Sequence, residues 1–116
     1  MNNLEYKIGT ILNELEIIWA YETIFTCNNK TYVPDFFIKD KKIIIECYGD
    51  YWHCNPLIFS EQSKIFRKIS AKQIWEKDRL RKENFEKEGY RFISIWESET
   101  KDLEKLKERI KQCLNI

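Results

Sequence analysis

Residues Ile43-Ile44-Ile45-Glu46-Cys47-Tyr48 form a short apolar run interrupted by one carboxylate. A run of this length, rich in β-branched side chains, reads as a strand covered on both faces and therefore central to a sheet. The chain must then layer other elements over both faces of that strand. An acid in the middle of it also needs a reason, because burying a charge is costly unless it is compensated.

The surrounding pattern supplies the layers. Leu4, Ile8, Ile11, Leu12 and Leu15 recur at helical spacing and predict a helix over about residues 2–15. Three strands are expected over about 19–26, 31–39 and 42–49, joined by turns at Asn28-Asn29 and Asp40-Lys41 as an antiparallel meander. After Asn55-Pro56 a helix is expected from about Gln62 to Glu88, ending at Gly89. A strand over Tyr90 to Trp96 and a helix over Lys101 to Leu114, with Leu103, Leu106, Ile110 and Cys113 on one side, complete the order αβββαβα. The expected class is α/β, a mixed central sheet flanked by helices, folded as one domain over residues 1–116.

Composition excludes other classes. Hydrophobic residues at 43% and charged residues at 34%, with three Gly and two Pro, describe an ordered globular chain. No apolar run approaches the roughly 20 residues that span a bilayer, so a membrane role is not expected. Cys27, Cys47, Cys54 and Cys113 form no C-x-x-C pair, and the N-terminus lacks the features of a signal peptide. Free thiols in an intracellular compartment are expected, whether cytoplasm, nucleoid or nucleus.

A net charge of +1 gives no hint of a polyanionic partner, but its distribution does. From Lys64 to Lys82 the basic residues Lys64, Arg67, Lys68, Lys72, Lys77, Arg79, Arg81 and Lys82 face only Glu76 and Asp78, a local net of +6. Such a segment fits a phosphate backbone, or simply forms a solvated helix face.

A turn at Asp40-Lys41 puts Asp35 directly opposite Glu46, and a turn at Asn28-Asn29 adds Glu22 beside Asp35 in the same row. Like charges in that position destabilise a sheet, and a hard divalent cation held by oxygens is the usual compensation. The other reading makes these carboxylates solvent-facing positions of alternating strands. His53, the single histidine, follows this strand and is placed to take a proton from water, with Asp78 to orient it. Taken alone, a histidine is more often structural. Tyr51 and Trp52 beside it either stack on bases or pack the core.

The segments Val33-Pro34-Asp35-Phe36-Phe37-Ile38, Ile43 through His53, Lys77-Asp78-Arg79-Leu80-Arg81 and Gly89 through Glu97 occur in an order that resembles very short patch repair endonucleases and related homing-type nucleases of the PD-(D/E)XK superfamily. The resemblance implies a restriction-endonuclease-like core and a Mg²⁺-dependent DNA endonuclease, with Mn²⁺ a usable substitute. It implies that Asp35 and the carbonyl of Cys47 bind the metal, that His53 is the base, that Asp78 supports it, and that Glu5 contributes a further carboxylate, with Glu22 as its rival. Glu46 is added to both the metal and the catalytic sets from its place opposite Asp35. Tyr51, Trp52, Lys72, Lys77, Arg79 and Arg81 are the expected DNA contacts.

Two departures stand out. The wider pattern places lysine where this chain has Tyr48, which shifts water activation to His53. The repair enzymes' zinc ligands are not reproduced either, since Asp50 and Asn55 stand in the histidine loop, so no structural zinc is expected and a Cys47/His53/Cys54 site would consume the base. A mismatch-directed nickase and a nuclease-like module that binds DNA without cutting are the alternatives. Strong sequence specificity would call for a homodimer, a larger partner protein or a longer parent chain.

Overall fold

The computed structural model describes residues 1–65 and 69–116. Its centre is a four-stranded mixed sheet in the order β1-β4-β5-β8, formed by β1 (Ala20–Tyr21), β4 (Phe36–Ile38), β5 (Ile43–Tyr48) and β8 (Arg91–Trp96). β1, β4 and β5 run antiparallel, whereas β8 lies parallel to β5 along all six residues. The parallel neighbour explains why β5 is so apolar, since such strands are buried on both faces.

Helices α1 (Asn3–Glu14) and α3 (Leu103–Leu114) cover one face of the sheet. Ile8, Ile11 and Leu12 of α1 and Leu106, Ile110 and Leu114 of α3 pack on Phe36, Ile38, Ile43, Ile45, Ile93 and Ile95. Leu103, expected on the buried stripe, is exposed; the 3₁₀ turn Glu97–Lys101 delays α3 until Asp102 caps it, leaving Leu103 at the solvent edge. On the opposite face, Phe85 of α2 (Ala71–Lys87) joins Ile44, Tyr48 and Phe92. The hairpin of β2 (Phe25–Cys27) and β3 (Lys30–Tyr32) packs beside them. Its turn residues Asn28 and Asn29 both have left-handed φ, of 52° and 62°, as a two-residue hairpin requires.

The expected meander is broken in two places. Glu22 adopts φ 53° and ends β1, while Pro34, which has no N–H to donate, separates β3 from β4. The tips therefore leave the central sheet as their own hairpin, yet the expected pairing survives in both pieces. The β4–β5 connection is also longer than two residues: a 3₁₀ turn at Lys39–Lys41 closes through Lys42 at φ 53°, without changing the register that faces Phe36 with Ile45.

The second helix starts at Ala71 rather than at about Gln62. Ser70 and Gln73 form a reciprocal capping box that fixes the start at Ala71. Before it, Lys64–Ile65 (β6) and Ile69–Ser70 (β7) pair as a short ribbon. Arg67 and Lys68 of the basic stretch lie outside the described residues.

Gly9 lets α1 sit close to the sheet: a Cβ there would lie 3.3 Å from Trp19 and 3.6 Å from Phe36. Gly9→Val therefore overpacks this contact and should lower stability by about 1–3 kcal/mol, read from urea unfolding. An unchanged or raised midpoint would show that α1 does not approach the sheet this closely.

Candidate active site

Side-chain alternation on β5 sends Ile43, Ile45 and Cys47 toward α1 and α3, and Ile44, Glu46 and Tyr48 toward α2. Glu46 is 7% exposed and receives Nε and Nη2 of Arg81 on its Oε1, at 2.9 and 2.6 Å. Asp35, at the entry to β4, accepts the backbone N–H of Cys47 on Oδ2 at 2.7 Å. The expected facing of Asp35 and Glu46 holds, and the two carboxyls are close enough to bear on each other's ionisation. Burial pushes Glu46 up to about 7, against the pull of Arg81 and with the push of Asp35. Burial also raises Asp35, opposed by the Cys47 N–H.

The loop after β5 turns back on itself. The His53 N–H donates to the Gly49 carbonyl at 3.1 Å and the Asn55 N–H to the Asp50 carbonyl at 2.9 Å. The buried Asn55 side chain donates to Asp50 Oδ1 at 3.0 Å. The Trp75 indole on α2 donates to the Cys54 carbonyl at 2.7 Å. These bonds brace the loop. The thiols of Cys47 and Cys54 belong to separate packing clusters.

His53 is held from two sides. Its Nδ1 meets Asp78 Oδ2 at 2.8 Å, and its ring stacks on Tyr48 with centroids 4.1 Å apart and planes within 10°. With Asp78 ionised, Nδ1 carries the proton and Nε2 is the acceptor nitrogen. Tyr48 thus fixes the plane of the imidazole.

One cleft of about 630 Å³ collects these groups: Asp35, Glu46, Cys47, His53 and Asp78, with Lys30, Lys77, Arg81 and Trp52 on its walls. Other expected DNA contacts lie outside it. Arg79 is bound to Glu76 and Glu83 at 3.0 and 2.6 Å on the outer face of α2, and Lys72 is exposed away from the cleft. Tyr51 and Trp52 meet edge to face and are 46% and 57% exposed, so neither is a core residue. Tyr51 lines a neighbouring cavity of about 440 Å³ that shares Cys47, Trp52 and His53 with the cleft.

The fold separates Glu5 from Glu22. Glu22 is exposed and turned out of the row by its left-handed backbone. Glu5 is 7% exposed, and its charge bears on Asp35, Cys47 and Tyr21. Sequence reasoning missed Lys30 and Tyr32, which only the displaced hairpin brings to the cleft, and the bond from Arg81 to Glu46.

Among the described residues no three His, Cys, Asp or Glu side chains converge as a complete metal cluster. The donors that do meet, the Asp35 and Glu46 carboxyls and the backbone carbonyl of Cys47, are hard oxygens. That set suits Mg²⁺, which is commonly bound by one or two carboxylates with water and substrate phosphate completing its shell.

The raised Glu46 carboxyl gives a pH signature. Between its ordinary value of 4.5 and about 7, the folded chain keeps a proton that the unfolded chain has lost. Stability is full below that window and falls as pH rises through it. Urea midpoints of the metal-free protein should decline across the window, and Glu46→Gln should remove most of the slope. An equal slope in both proteins would place the raised group elsewhere.

No family model and no curated protein matches the chain. Among solved structures it is similar to the "Homing Endonuclease I-Bth0305I Catalytic Domain", with a TM-score of 0.66 at 22% identity over 97% of this chain and 93% of that one. This likeness establishes the fold, a mixed α/β sheet flanked by helices as in that catalytic domain.

Proposed function

We propose that this protein is a metal-dependent endonuclease that hydrolyses DNA phosphodiester bonds, using Mg²⁺ with Mn²⁺ as a substitute. The observation that carries this reading is the opening of the His53–Asp78 pair, 2.8 Å apart, onto the same cleft as Asp35, Glu46 and the cations Lys30, Lys77 and Arg81. The structural neighbour is titled a homing endonuclease catalytic domain, which supports the same class of activity. The ordered motifs favour the PD-(D/E)XK superfamily and its very short patch repair-like branch.

Asp35, Glu46 and the Cys47 carbonyl would hold the cation, which when bound polarises the phosphate and offsets charge on the leaving oxygen. Asp78 fixes the imidazole tautomer, and His53 Nε2 accepts the proton of the attacking water as its oxygen bonds to phosphorus and the leaving oxygen departs. Tyr48 restrains the ring through the stacking contact. Glu5 adds negative charge behind Asp35. Lys77 and Arg81 on α2 and Lys30 on the hairpin would position phosphates, with Lys72 and Arg79 as outlying contacts and Tyr51 and Trp52 against bases near the cut. A second copy or a partner protein would supply sequence specificity, and DNA as substrate implies an intracellular setting.

One observation favours a second reading, a module that binds DNA without cutting it: Arg81 already neutralises Glu46, and no ready-made metal cluster exists among the described residues. Supercoiled plasmid with Mg²⁺ or Mn²⁺ separates the two. The endonuclease reading predicts nicked or linear product that EDTA and Asp35→Ala abolish. It predicts that His53→Ala lowers the rate by about 10²–10⁴. Binding that survives Asp35→Ala with no product from either protein would favour the module. Preferential cutting of a T·G duplex would move the assignment to a mismatch-directed nickase.

A further inference from the structure

The bond between Arg81 and Glu46 has no place in the hydrolytic steps, yet it occupies the floor of the cleft. Nε and Nη2 of Arg81 both fall on a single oxygen of a carboxylate whose side chain is 9% exposed, while the Arg81 side chain is 27% exposed and lines the cleft. Its seat is built: the Tyr32 ring lies 5.0 Å beneath the guanidinium carbon, and Asn84, itself 1% exposed, donates to the Tyr32 hydroxyl at 2.7 Å. Arg81 is thus held between a carboxylate inside the sheet and the space a substrate phosphate would enter.

We propose that Arg81 is an exchangeable counter-ion: without DNA it stands in for the metal by neutralising Glu46, and a DNA phosphate draws it away. Resting on the endonuclease reading, this couples DNA binding to metal binding through one side chain. With Arg81 on Glu46, the ionised Asp35–Glu46 pair carries only one uncompensated negative charge, a poor match for a divalent cation. With Arg81 on a phosphate, both carboxylates act on the cation, and the phosphate adds its own oxygen. Guanidinium forks bind carboxylate and phosphate with similar geometry, so the exchange keeps the arginine's hydrogen bonds. By linkage, metal must tighten DNA binding by the factor with which DNA tightens metal binding.

Mn²⁺ titrated onto the full chain, with free Mn²⁺ read by its paramagnetic resonance signal, tests this without relying on cleavage. In the absence of DNA, Arg81→Gln should bind Mn²⁺ more tightly than the wild type by about 5- to 150-fold, the usual span of a coupling between two sites. Lys77→Gln removes a cleft cation that does not touch Glu46 and should change the affinity far less. A saturating short duplex, added in a His53→Ala background to prevent cutting, should tighten Mn²⁺ binding, and Arg81→Gln should reduce that gain. If Arg81→Gln does not fold, Arg81→Lys keeps the charge but not the fork and should give an intermediate affinity. Equal Mn²⁺ affinity in wild type and Arg81 variants, or an equal gain from Lys77→Gln, overturns the exchange while leaving metal-dependent cleavage intact. No Mn²⁺ binding by any form, with or without DNA, overturns the metal site as well.

Discussion

Glu46 inside β5 is the constraint around which the site is arranged. Its neighbours Ile44 and Ile45 are fully buried, and β8 pairs alongside, so the carboxyl has little water to solvate it. Desolvating a charge costs more than a single hydrogen bond returns. The fold answers with Arg81 on one side and a proton retained up to about pH 7 on the other. Every other element of the cleft is placed relative to that strand: Asp35 is tied to its backbone at Cys47, Tyr48 is its last residue, and His53 stands on the loop that follows.

Helix α2 does two tasks at once. Phe85 closes the core beneath Ile44 and Phe92, while one face of the same helix brings Asp78 to His53 and Arg81 to Glu46. Asp78 and Arg81 are three residues apart and therefore neighbours on the helix surface. Packing of the core thus sets the distance between the His53–Asp78 pair and the carboxylate pair. The histidine loop is fixed internally by the buried Asn55 and is tied to the same helix by the bond from the Trp75 indole to the Cys54 carbonyl.

Much of this was legible in the sequence, for identifiable reasons. The facing of Asp35 with Glu46 followed from strand alternation and survived a longer turn, because the four-residue connection kept the same register. The pairing of His53 with Asp78, 25 residues apart, followed from a histidine at a strand end and a carboxylate on the next helix, and the ordered motifs strengthened it. The left-handed backbone at Glu22 has no local signal in the residue type, so the split of the first strand was not readable. The late start of α2 was readable from Ser70 and Gln73, whose reciprocal capping box outweighs the earlier start expected after Asn55-Pro56. The ion pair of Arg81 and Glu46 joins a strand to a helix 35 positions away, and nothing in either segment specifies which basic residue arrives.

On the proposed function, the carboxylate pair and the His53–Asp78 pair form one hydrolytic site facing one phosphate. A crystal of the His53→Ala protein with duplex DNA and Mn²⁺, analysed by anomalous scattering, tests it directly. A manganese peak is expected against Asp35 and the Cys47 carbonyl, with a backbone phosphate between that metal and residue 53. A metal bound elsewhere, or DNA lying on another face of the protein with the cleft empty, would contradict it.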